Sequence, residues 1–222
     1  RKQPSKKSLN RQNRSKSNTL YRLRNDTSRN PWSNTNTYNP AENTVISVFN
    51  NYFGGGMGSL VFQTIRESKA LAYSTYGFYV FPRKKADKYY MMAYVGAQAD
   101  KFVEAVAAMN ELLTTMPELP ANLDLAKVQL KKEIQTERIT QDDIIYDYIK
   151  AKDLGLNEDI RKTIYQNLDN ISMKDIRTFH DTYLSKKPYT YVVLASEEKL
   201  SKEELQKIGE FRKLSLEELF GY

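Results

Sequence analysis

Asn51-Tyr52-Phe53-Gly54-Gly55-Gly56-Met57-Gly58-Ser59-Leu60-Val61-Phe62-Gln63-Thr64-Ile65-Arg66-Glu67-Ser68-Lys69-Ala70-Leu71-Ala72-Tyr73 holds four of the chain's nine glycines. Backbone without Cβ atoms turns sharply or is approached closely by something else. A helix is predicted to start at once. Ser59 can cap it, Leu60, Val61, Phe62 and Ile65 give it an apolar face, and Arg66 and Lys69 project from elsewhere on the same rod. Glycines ahead of a helix can cradle a phosphate, but the detail argues against it here. No Lys follows Gly58, as the phosphate loop of nucleotide hydrolases requires, and Ser59 stands where a dinucleotide fingerprint needs its third Gly. Two uses remain for the loop: to let two helices pack closely, or to touch an extended substrate.

Outward from this stretch the pattern is mixed. Residues 41–52 predict a helix opening after Pro40, and the aromatic and β-branched runs 70–81 and 89–98 predict a β-hairpin joined through residues 82–87. Asp100 is expected to cap a helix running to about Pro117, and a second long helix is expected from Pro120 toward Arg138. Thr140 with Asp143, Ser172 with Asp175, Ser201 with Glu204 and Ser215 with Glu218 resemble capping boxes and mark four more helix starts. Gly155 should close the first of these, with a short helix over about 157–168 before the second. Residues 188–195 alternate as a strand, expected to be central or one in from the sheet edge. The order of elements predicts an α+β fold, with helices on one face of a mostly antiparallel sheet.

The chain of 222 residues is long enough for one domain plus an appendage. It has no cysteine, so neither disulfides nor thiolate metal sites are available to it. No apolar run is long enough to cross a bilayer, and the first residues are too polar for a secretory signal, so a soluble protein is expected. The formal charge of +7 is unevenly spread. Residues 1–36 carry ten of the 34 Lys and Arg against one of the 27 Asp and Glu, which leaves the remainder close to neutral. Nucleic-acid binding by the folded part is therefore not supported; any polyanion would have to bind the basic segment. Residues 1–37 are expected to be disordered by composition, or a foreign segment joined to a domain over 38–222.

Several stretches carry a family resemblance. Asn50 to Met57, Leu60 to Tyr73, Tyr94-Val95-Gly96-Ala97-Gln98-Ala99-Asp100-Lys101, Glu137-Arg138-Ile139-Thr140, Lys187 to Tyr191 and Leu216 to Tyr222 together resemble the C-terminal half of the pitrilysin/insulinase family of zinc metallopeptidases. That family includes the insulin-degrading and mitochondrial processing peptidases. The resemblance implies a two-layer α/β roll. It also implies that zinc is bound elsewhere, by a helical His-x-x-Glu-His that this chain lacks: its one histidine, His180, is expected to be a packing or surface residue. An Arg and a Tyr seven residues apart in the family's C-terminal half reach toward that zinc site, and Arg66 and Tyr73 have the spacing and the context. By the same resemblance Gly54, Gly55, Gly56 and Gly58 would line the peptide's route.

The resemblance thus implies a non-catalytic C-terminal domain that binds no cofactor itself. It would lend substrate-binding and transition-state-stabilising residues to a zinc-bearing N-terminal catalytic half, in the same chain or a separate subunit, acting on a peptide. The alternatives are an inactive homologue serving as a binding or assembly subunit, and a basic-armed nucleic-acid-binding protein. The compartment stays open; bacterial cytoplasm or periplasm is the expectation.

Overall fold

In the computed structural model, residues 19–24, 37–196 and 198–221 are described, the first six through their backbone pairing. The elements in chain order are β1 (Thr19–Arg24), α1 (Asn43–Phe53), a π-helical segment (Phe62–Ser68), β2 (Ser74–Val80), β3 (Tyr90–Ala97), α2 (Phe102–Thr114), α3 (Pro120–Thr136), α4 (Gln141–Asp153), α5 (Ile160–Asn167), α6 (Met173–Tyr183), β4 (Thr190–Leu194), α7 (Lys202–Gln206) and α8 (Leu216–Phe220). The strands form one sheet in the order β2-β3-β1-β4, and every pairing is antiparallel. The fold is α+β, as the order of elements predicts.

Strand β1 corrects the expectation of disorder through residue 37. It pairs Tyr21 with Val95 on one side and with Val193 on the other, and so fills the place between β3 and β4. Two non-adjacent strands leave a row of backbone donors and acceptors that a short run of suitable residues can satisfy. A composition averaged over 36 mostly polar residues hides a run of six. The rest of residues 1–36 lies outside the described residues. Strand β4 is an edge strand rather than central or next to the edge. Its alternation says only that one face is apolar enough to pack; Val192 and Leu194, on the other face, are exposed.

Alternation in β3 buries Met91, Ala93 and Val95 against the helices and leaves Met92 and Tyr94 half-buried on the opposite face. The hairpin partner β2 is the other edge, and α1 covers it. Asn50 bonds both backbone groups of Tyr79, its Nδ2 donating to the carbonyl at 3.0 Å and its Oδ1 accepting from the N–H at 2.7 Å. One helical turn later Gly54 meets Gly77 so closely that a Cβ there would stand 2.1 Å from the Gly77 carbonyl oxygen. The core then fills with aromatic rings: Phe49 lies 4.9 Å from Phe179, and Tyr79 meets Phe179 edge-on at 5.0 Å between centroids.

All four capping boxes form, each with the hydroxyl accepting from the N3 backbone and the N3 carboxylate accepting from the cap N–H. Asp100 does not cap α2. It lies within a short 3-10 turn, Ala99–Lys101, and Lys101 occupies the cap position without a side-chain bond. Gly155 ends α4 at φ +73, a left-handed conformation that glycine adopts without strain. Helix α4 is turned inside out. None of its residues is buried, and Ile144, Ile145, Tyr146, Tyr148 and Ile149 are exposed. It is tied down instead by polar groups: Asp147 accepts from Arg161 at 2.5 Å, and the Asp153 carbonyl accepts from the Lys85 N–H at 2.9 Å.

Candidate functional site

The glycine loop joins α1 to the helix that carries Arg66. Ser59 caps that helix as expected, its Oγ accepting from Phe62 N–H at 3.4 Å and donating to the Gly56 carbonyl at 2.8 Å. From Phe62 to Ser68 the helix widens into π form, with the Lys69 N–H bonded to the Thr64 carbonyl at 3.0 Å. Such widenings sit frequently at functional sites. The four glycines divide. Gly54 is buried, its side-chain position taken by β2 backbone; Gly55 is crowded by its own helix, with Asn50 O 2.9 Å from a Cβ there. Gly56 holds φ +111 beside Gln129 of α3, and Gly58 has nothing within 4 Å. The Gly56-Met57-Gly58 tip is exposed.

Arg66 projects from the π-helical segment. Its guanidinium lies 4.8 Å from the centroid of the Phe62 ring, and Glu67 is 3.7 Å from its Nε. The ion pair is solvent-exposed and so weak; the ring face does more to hold the side chain. Ala70, at φ 49, ends the helix in the left-handed region, so Tyr73 lies beyond the helix rather than two turns along it. Its N–H donates to the Gly96 carbonyl at 2.8 Å, which brings the chain onto β3 one residue before β2 begins. The Tyr73 side chain is 53% exposed. Its hydroxyl accepts from Gln98 Nε2 at 2.5 Å.

Among the described residues no hydrogen bond or ion pair joins Arg66 to Tyr73; the two groups are anchored separately and both are exposed. Two hollows, one beside Arg161 and one between Lys69 and Glu111, take in neither of them, although Lys69 and Leu71 of the intervening segment line the second. Both polar groups lie on exposed surface. Gln98 and Phe62 are the positions that a sequence reading passes over. Gln98 is legible only as the polar residue that ends the apolar alternation of β3.

Among the described residues no three His, Cys, Asp or Glu side chains are grouped so as to hold a metal ion. His180 is a packing residue, 1% exposed on α6, with Nε2 3.2 Å from the Leu112 carbonyl oxygen. Among the described residues no helix is long and apolar enough to cross a membrane.

Comparison with known proteins shows the family. The family model for the peptidase M16 inactive domain matches residues 9–130, more than half of the chain. The matched span begins inside the basic segment. No curated protein matches. A peptidase M16 inactive domain from Pseudomonas fluorescens superposes with a TM-score of 0.59 at 16% identity, over 80% of this chain. The chain spans 40% of the length of that protein. The inactive peptidase domain of a protein provisionally described as a zinc protease, from Bordetella parapertussis, superposes at 0.63 with 12% identity, over 82% of this chain and 94% of its own. A chain of complex III from Candida albicans does so at 0.53 with 13% identity, over 87% and 47%. At these identities the structures share the fold; the family rests on the sequence model. The chain belongs to the family of peptidase M16 inactive domains, in the C-terminal half of the pitrilysin/insulinase peptidases.

Proposed function

We propose that this chain is the non-catalytic C-terminal domain of a zinc-dependent metalloendopeptidase, and that Arg66 and Tyr73 act on a peptide held at a zinc site in a separate N-terminal half. The observation that carries the reading is Tyr73 itself. An exposed phenol is fixed at both its backbone and its hydroxyl. Among the described residues no metal-ligand set is grouped, and the one histidine packs against the Leu112 carbonyl, so the roles below belong to this chain's own donors.

The roles follow from the donors present. The Tyr73 hydroxyl can donate one hydrogen bond to the oxygen of the scissile carbonyl as negative charge develops on it. Arg66, steadied over Phe62, can hold a backbone carbonyl or the carboxylate of the peptide. The exposed tip Gly56-Met57-Gly58 offers backbone that a peptide can approach, whereas Gly54 serves packing. The outward apolar face of α4 supports a domain that works packed against another body: five large apolar side chains point away from their own domain.

The test is Tyr73→Phe in the complete two-half enzyme. Loss of one oxyanion donor lowers kcat by about 10²–10³-fold. KM should change little, because the interaction forms in the transition state. Wild-type turnover in that variant would overturn the role given to Tyr73.

A further inference from the structure

We propose that Gln98 is a positioning residue for Tyr73, holding its hydroxyl so that the phenolic proton points outward to the substrate; the proposal rests on the role just given to Tyr73. A hydroxyl has one proton to donate and two lone pairs to accept with. At 2.5 Å the Gln98 amide N–H occupies one lone pair of Tyr73 Oη. The phenolic proton cannot then point at Gln98. It is left for another acceptor, on the exposed side of the ring.

The local backbone makes the arrangement rigid. Tyr73 N–H is bonded to the Gly96 carbonyl at 2.8 Å, and Gln98 follows Gly96 by two residues. The main chain and the hydroxyl of Tyr73 are therefore both tied to the same three-residue run at the end of β3. Two-point fixation of a side chain with two rotatable bonds sets the hydroxyl before substrate arrives, which is where preorganised donors gain their effect. When Tyr73 donates to an oxygen gaining negative charge, the bond from Gln98 also strengthens, because linked hydrogen bonds polarise one another.

The direction of the bond is what the experiment reads. Gln98→Glu keeps the shape but replaces the donor with a carboxylate, which accepts the phenolic proton in a strong charge-assisted bond and turns it from the substrate. Gln98→Leu only frees the ring. Steady-state kinetics of the complete enzyme on an internally quenched peptide that it cleaves would be compared for Tyr73→Phe, Gln98→Glu, Gln98→Leu and the Tyr73→Phe/Gln98→Glu pair. Tyr73→Phe should lower kcat by about 10²-fold or more, Gln98→Glu should approach that loss with KM unchanged within about twofold, and Gln98→Leu should lose about tenfold. In the Tyr73→Phe background Gln98→Glu should add nothing, since the proton it would capture is gone. Both positions are exposed, so melting temperatures should stay near wild type. Wild-type kcat in Gln98→Glu, beside a large loss in Tyr73→Phe, would overturn the positioning role and leave Tyr73 in place. An equal loss from Gln98→Glu in both backgrounds would also overturn it, because Gln98 would then act on something else. Wild-type kcat in Tyr73→Phe would overturn both.

Discussion

Gly54 and Gly58 look alike in sequence, and the fold separates them. A methyl group at Gly54 would stand 2.1 Å from the Gly77 carbonyl oxygen, backbone that can yield only if α1 and β2 part. Gly54→Ala should therefore destabilise by about 3 kcal/mol or more, at the upper end of overpacking costs, with denaturant unfolding as the measure. Gly58→Ala meets nothing within 4 Å and should stay within about 0.5 kcal/mol of wild type. If the loop tip handles peptide, Gly58→Ala lowers activity in the complete enzyme without lowering stability. Equal stability losses in the two variants would contradict the division. The glycine run was legible as a place of close approach, but not which glycine is approached, because Gly77 and Gln129 are distant in sequence. Arg66 and Tyr73, whose role is a proposal, were singled out through the family resemblance. Their anchors were not, since Phe62 reads as core and Gln98 as the end of a strand.

Elements were read best where their signals are local. A hydroxyl three residues before a carboxylate is enough to place a helix start, and each of the four such pairs does so. The same pairs set a pH dependence. The Ser172 hydroxyl and N–H hold the Asp175 carboxyl below its ordinary range, and the Arg161 guanidinium does the same for Asp159, the cap of α5. A carboxyl whose folded pKa lies below its unfolded value of about 4 stabilises above that pH, and the stabilisation is lost as pH falls through the folded value. Melting temperature should drop as pH is lowered from about 5 toward 2, and Asp175→Asn should be less stable at neutral pH with a shallower acid slope. An unchanged slope in that variant would remove Asp175 from the account. Capping is local, whereas the position of β4 at the sheet edge and the outward face of α4 depend on what packs nearby. Alternation and apolar content do not report that.

At the scale of the molecule, the α+β class followed from the order of helices, hairpin, helices and strand. The strand that unites the sheet did not, because Thr19–Arg24 lies in polar, basic surroundings and its pairing partners are more than 65 residues away. The assembled domain gives a sheet covered by helices on one face, an exposed phenol and guanidinium, and a helix with exposed apolar side chains. The central claim is that this chain contributes to proteolysis without containing its metal centre. It is tested most directly by measuring zinc content and peptide hydrolysis on the purified chain, alone and after addition of the catalytic half. The account predicts no stoichiometric zinc and no cleavage by the chain alone, with cleavage appearing on addition of the catalytic half; stoichiometric zinc or hydrolysis by the lone chain would contradict it.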